Sequence, residues 1–132
     1  MQKIPILRMG EFLLVTIQVD LYDKLAENLE SDLVMMVKKT GAHGVLIDIS
    51  SVTIIDSFMG RIIGNIAMMT KIMDAETVVV GMQPAVAITL IELGLSLKGV
   101  YCALNVEKGM EFLKSKISTQ IRETEDADNN SY

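Results

Sequence analysis

The stretch Gly44–Gly60, GVLIDISSVTIIDSFMG, joins two sequence patterns that together decide the fold. Its first part, Gly44–Ile49, is an almost continuous apolar run, which is typical of a strand buried on both faces of a sheet. The chain then passes through Ser50–Asp56 into apolar positions with helical spacing, and we predict a helix from about Asp56 to Met73. A buried strand followed directly by a helix is the repeating unit of a parallel α/β sheet.

The flanking sequence extends that alternation in both directions. Apolar-rich runs at Lys3–Arg8 and Phe12–Gln18, separated by a short segment that contains a glycine, predict an N-terminal hairpin. The other predicted elements are a helix from Leu21 to Gly41 with Asp20 as its N-cap, a strand at Thr77–Gly81, a helix from Pro84 to Gly94, a strand at Val100–Leu104, and a helix capped by Asn105. We therefore predict an α/β fold with a mixed, mostly parallel sheet after the hairpin.

Composition indicates one domain followed by an acidic end. The 132 residues are half apolar and suffice for a single core, which we place at residues 1–117. The segment Arg122–Tyr132 has four acids and one base, a net charge of −3, which leaves −2 of the total −5 for the first 121 residues. We predict that residues 118–132 form a disordered, solvated tail.

Several classes of function are disfavoured by composition. Lysine and arginine do not cluster with aromatic residues, so we expect no nucleic-acid binding. The start of the chain lacks a signal-peptide pattern and no apolar run is long enough for a membrane span, so we expect a cytoplasmic protein without a membrane partner. The single cysteine, Cys102, lies in an apolar run, and we predict a buried, reduced thiol.

Catalytic motifs are also incomplete. Ser57 follows a strand and opens a helix, as the serine of a nucleophile elbow does, but it lacks the Gly-x-Ser-x-Gly pattern, and His43 belongs to the opposite end of the strand. Asp48 lies at a strand end, as the acceptor of a receiver domain does, but the acidic pair and the lysine that such a pocket needs are missing. Neither zinc-ligand nor phosphate-loop spacing occurs, so we expect no metal site and no nucleotide bound through a phosphate loop.

Two interpretations of Asp56 and Ser57 remain open from the residues alone. In the first they are an ordinary N-cap and first-turn residue. In the second Ser57 accepts a phosphoryl group from another protein, because a phosphate at a helix N-terminus meets unpaired N–H groups and the positive end of the helix dipole.

A resemblance to a known family bears on this choice. The strand VLIDIS, the junction IIDSF, the strand VVVG and the block QPAVAITLIELG resemble the STAS domain of anti-sigma-factor antagonists, over about Lys3 to Lys116. The general antagonist pattern is Asp-Ser-Ser-Gly, whereas Phe58-Met59 follows Ser57 here. In this respect the sequence resembles the branch of single-domain stressosome scaffold proteins more than the branch that binds anti-sigma kinases directly.

The resemblance implies a STAS fold, no catalytic activity, and phosphorylation of Ser57. Asp56, Ser57 and Phe58 would contact the partner. The expected partners are a GHKL-type serine kinase that is held until Ser57 is phosphorylated, co-antagonist STAS proteins in a large homo- or hetero-oligomer, and a serine phosphatase that resets the serine. A direct anti-anti-sigma role and a purely structural scaffold are the alternatives. Thr89, which matches a phosphorylated threonine of co-antagonists, is predicted to be buried or bonded to its own helix.

Overall fold

The computed structural model describes residues 3–18, 21–95, 97 and 99–129, with backbone only for 120–129. Nine elements follow one another in chain order: β1 (Ile6–Met9), β2 (Phe12–Thr16), α1 (Asp23–Thr40), β3 (Gly44–Asp48), α2 (Ser57–Ile72), β4 (Glu76–Val80), α3 (Pro84–Glu92), β5 (Val100–Ala103) and α4 (Val106–Asn129). The predicted hairpin and the predicted alternation of strands and helices are confirmed.

The five strands form one mixed sheet in the order β1-β2-β3-β4-β5. Strand β1 is antiparallel to β2, and every later neighbour is parallel, with register pairs such as Thr16 with Asp48 and Asp48 with Val80. Because each parallel strand lies next to its predecessor, right-handed crossovers place α1, α2 and α3 on the same face. All strand-to-helix loops therefore meet at one edge, the carboxyl edge of the parallel strands.

Two apolar layers cover the sheet. The larger core joins one sheet face to α1, α2 and α3, and includes Val45, Ile47 and Val79, none of which is exposed to solvent. The opposite face packs Leu46 and Val78 against α4 through Leu113. Alternate residues of β3 thus point into different cores, which explains why its sequence is continuously apolar.

Most predicted helix ends agree with the structure. Helix α1 ends at Gly41, which has φ of 67° and donates its N–H to Val37 O at 2.8 Å. Asn105 begins α4 by accepting a hydrogen bond from Lys108 N at 2.9 Å. The predicted N-cap of α1, Asp20, lies outside the described residues; the structure starts this helix two residues later, with Tyr22 as the N-cap residue and without a side-chain cap.

Helix α4 continues past the predicted domain boundary. The backbone is helical from Val106 to Asn129, whereas the sequence predicted that ordered structure would end near residue 117. Glutamate, glutamine, arginine and alanine are good helix formers, and neither glycine nor proline interrupts residues 118–129. A backbone helix does not require burial of this segment, so the prediction that the tail adds little to the fold is still open.

The prediction of a buried thiol is wrong. Cys102 is exposed, and it lies on β5, which is an edge strand of the sheet. Neighbouring groups still exclude enough water from the sulfur to raise the pKa of the Cys102 thiol above its ordinary value, since burial disfavours the thiolate.

Within the described part of the chain, no helix is both long and apolar enough to cross a membrane.

Removing residues 122–132 should leave the melting temperature nearly unchanged. The segment holds one aliphatic residue, Ala127, and so offers little apolar area to offset the entropy of ordering. Thermal unfolding of the truncated chain tests this, with Leu113→Ala as the control. Leu113 is 1 % exposed, so its truncation should cost about 2–5 kcal/mol of unfolding free energy. A fall of many degrees on truncation would show that the acidic end packs on the domain.

Candidate functional site

The loop between β3 and α2 lies at the carboxyl edge of the sheet and is held by backbone contacts at its start. Ile49 N donates to Val80 O at 3.0 Å, and Val52 N donates back to Ile49 O at 2.9 Å. Val52 and Ile55 are buried in the larger core, so the loop is anchored at two further points. Such anchoring fixes where helix α2 begins.

A second loop supports the first from the side. The side chain of Gln83, the N-cap residue of α3, donates from Nε2 to Ser50 O at 2.8 Å. Gly81 lies between β4 and this residue with φ of 75°, and a Cβ there would lie 2.8 Å from the Ser50 Cβ. Only glycine satisfies both the left-handed backbone and this close approach. The two loops therefore form one supported surface.

Asp56 is the N-cap of α2, as its sequence position predicts. Its backbone is extended, and its Oδ1 accepts a hydrogen bond from Met59 N at 2.8 Å. The first backbone hydrogen bond of the helix runs from Gly60 N to Asp56 O at 3.1 Å. This arrangement satisfies an N–H group that would otherwise lack a partner at the helix start.

Ser57 is the first residue of α2, and its side chain is left available by that cap. The residue is exposed, and its hydroxyl makes no hydrogen bond with the described residues. Phe58 behaves differently, since it is half-buried and packs on the larger core. Ile54, three residues before Ser57, is 83 % exposed. The surface around the hydroxyl thus combines a polar acceptor with accessible apolar area.

Three other residues that the sequence analysis considered, His43, Asp48 and Thr89, do not form a catalytic site with Ser57. His43 is exposed just before β3, so the length of that strand separates it from Ser57. Asp48 Oδ1 accepts a hydrogen bond from Ser50 N at 2.9 Å. Thr89 Oγ1 donates to Ala85 O at 2.9 Å, which confirms the prediction of a hydroxyl bonded to its own helix. Among the residues the structure describes, no acid, histidine or cysteine cluster could hold a metal.

Sequence reasoning did not identify Ile54 or Gln83 as part of the surface. Ile54 belongs to the apolar segment Val52–Ile55, in which periodicity does not distinguish buried from exposed positions because the loop has no regular period. Gln83 gave only the signal of a polar residue before Pro84, which marks a helix start. Its contact with Ser50 depends on two loops that are distant in sequence.

Comparison with known proteins identifies the family. The family model of the STAS domain matches residues 3–108, so the chain belongs to the STAS family, as the resemblance predicted. A structure of RsbS from Moorella thermoacetica, in a serine-to-glutamate variant, is similar over 87 % of this chain and 97 % of that one, with 32 % identity and a TM-score of 0.76. No curated protein matches the chain.

Two further structures extend this comparison. One is a chain from a structure described as "Molecular architecture of the stressosome, a signal integration and transduction hub". It shares 34 % identity over 86 % of this chain and 98 % of that one, with a TM-score of 0.75. The unphosphorylated anti-sigma-factor antagonist SpoIIAA matches over 85 % and 96 % of the two chains, with a TM-score of 0.68 and 10 % identity. At that identity the likeness to SpoIIAA shows the fold alone.

Replacing the cap should weaken the fold without removing the serine. Asp56→Ala leaves Met59 N without its partner and should cost about 0.5–2 kcal/mol of unfolding free energy, measured in urea. Asp56→Asn keeps an accepting oxygen and should restore most of that loss. Ser57→Ala serves as the matched control and should unfold like the wild type. Equal stability of Asp56→Ala and the wild type would show that Asp56 is not the functional cap.

Proposed function

We propose that this protein is a non-catalytic, phosphorylatable STAS protein of the stressosome type, which holds a serine kinase and releases it when Ser57 is phosphorylated. The observation that carries the proposal is the exposed, unbonded hydroxyl of Ser57 beside a helix cap that does not need it. A kinase can reach this hydroxyl without unfolding α2. In this function ATP belongs to the kinase, and the STAS chain needs no cofactor.

Phosphorylation changes the charge of the surface more than its shape. A phosphoserine adds about −1.5 to −2 charges at neutral pH. Asp56 already carries one negative charge at the adjacent position, so the modified surface presents a concentrated negative field. Ile54 and the edge of Phe58 are the apolar groups that a bound kinase would cover. Burying them together with that charge is unfavourable, which supports release after phosphorylation.

The similar proteins support the same assignment. The chain is 32–34 % identical to RsbS and to a component of the stressosome, over most of each chain. The RsbS structure contains glutamate in place of a serine, which is a substitution that imitates a negative charge. We infer a cytoplasmic signalling role in which a GHKL-type kinase phosphorylates Ser57 and a separate serine phosphatase resets it.

Assembly with other STAS chains is part of the proposal. Helix α2 has more apolar residues than its core-facing side can bury, and two of them, Met68 at 63 % and Ile72 at 86 %, remain exposed. Both lie toward the end of α2, away from Ser57, so a neighbouring subunit could cover them while the kinase surface stays accessible. Methionine adapts well to such contacts. Co-antagonist STAS proteins of the RsbR type are the expected neighbours.

Phosphorylation is expected at Ser57. Incubation with the cognate GHKL-type kinase and ATP, followed by peptide mass spectrometry, should add one phosphate to the peptide that contains Ser57. Ser57→Ala should abolish the modification and keep the kinase bound. Ser57→Asp should weaken kinase binding roughly tenfold or more, about 1.4 kcal/mol per decade.

The matched control is Ser51→Ala, which removes another exposed serine of the same loop and should be phosphorylated like the wild type. Wild-type phosphorylation of Ser57→Ala would move the acceptor elsewhere, and Thr89→Ala would then test the next hydroxyl.

Exposed apolar residues of α2 should drive association. Light scattering of the protein, alone and with its co-antagonist, should show species larger than the monomer. Ile72→Glu places a charge in the apolar contact and should reduce the mass. Ser115→Glu adds the same charge at an exposed position of α4, on the opposite side of the sheet, and should leave assembly unchanged. A monomer under every condition would contradict this part of the proposal.

A further inference from the structure

Arg61 lies one helical turn after Ser57 on the exposed side of α2. Both residues are exposed, and their spacing of four positions makes them neighbours on the helix surface, with Cβ atoms about 5–6 Å apart. Helical side chains lean toward the N-terminus of their helix, so the Arg61 side chain leans over the turn that begins with Ser57. The guanidinium can therefore reach a group attached to the serine oxygen.

Arg61 has no acidic neighbour on its own helix. The positions three and four residues away hold Ser57, Phe58, Gly64 and Asn65, and α2 contains no aspartate or glutamate. The ion pairs found among the described residues do not include Arg61. The nearest acid along the chain is the cap residue Asp56, and it forms no ion pair with Arg61 among the described residues.

The helix start itself offers limited stabilisation to a phosphate. Met59 N is already bonded to Asp56 Oδ1, and Gly60 N is bonded to Asp56 O. The amides of Ser57 and Phe58 are the ones left at this turn, and the Asp56 carboxylate next to them repels a second anion. A phosphate on Ser57 therefore gains most from a nearby cation, and arginine binds phosphate with two parallel N–H donors.

We propose that Arg61 is the intramolecular counter-ion of phosphorylated Ser57. The inference rests on the proposed function for the occurrence of the phosphate, and it adds a regulatory residue that acts after phosphoryl transfer. In the unmodified protein the guanidinium projects from the exposed side of α2. In the phosphorylated protein it is drawn toward the helix start, so phosphorylation removes a cation from the surface of α2 as well as adding an anion.

The test uses the whole 132-residue chain with phosphoserine incorporated at position 57 during translation, so it does not depend on any kinase. The phosphate signal is followed by ³¹P NMR from pH 4 to 8, across its second ionisation near pH 6. Arg61→Gln should raise the midpoint of this titration by about half a pH unit, equivalent to ~0.7 kcal/mol, because the dianion loses its counter-ion. Arg61→Lys should give an intermediate midpoint, and 1 M NaCl should reduce the difference.

Lys71→Gln is the matched control, since Lys71 is the other cation of α2, ten residues further along the helix, and pairs with Glu76 at 3.9 Å. It should leave the midpoint where it is in the wild type. An unchanged midpoint in Arg61→Gln, or an equal shift in Lys71→Gln, would overturn the counter-ion role. A shift in Arg61→Gln combined with no phosphorylation of the wild type by a kinase would keep the ion pair and refute the proposed function instead.

Discussion

The hydrogen bond from the Met59 amide to Asp56 Oδ1, at 2.8 Å, is the interaction on which the rest of the site depends. It divides two tasks between adjacent residues. Asp56 caps the start of α2, and the hydroxyl of Ser57 takes no part in that cap. A serine that capped its own helix would have to give up that contact when modified. In the proposed function, phosphorylation of Ser57 would leave the cap in place.

The sheet provides the rigid support for this arrangement. Sequential parallel strands bring the β3–α2 and β4–α3 loops to the same edge, and the Gln83–Ser50 hydrogen bond joins them. Gly81 permits that approach because neither its φ of 75° nor its distance from Ser50 would accept a side chain. The loop is therefore presented in a fixed position, which favours recognition by a partner without a large ordering cost.

Local patterns in the sequence predicted most of the fold. Gly41, Asp56 and Asn105 mark helix ends through their own side chains or backbone, and the structure shows each in that role. The exposure of Cys102 could not be predicted from the local sequence, because it depends on the position of β5 at the edge of the sheet. For the site, the residues alone left Ser57 as either a plain first-turn residue or an acceptor. The family resemblance, not any local pattern, favoured the acceptor.

In the proposed function, phosphorylation changes the surface charge of the protein and leaves the fold unchanged. The most direct measurement is a comparison of ¹H–¹⁵N NMR spectra of the protein with serine and with phosphoserine at position 57. We expect shifts confined to the first turns of α2 and to the two loops at residues 50–56 and 81–83, while the amides of β3 and β4 stay in place. Widespread shifts through Val45–Ile47 and Val78–Val80 would show that the phosphate acts by rearranging the core, and would contradict the account.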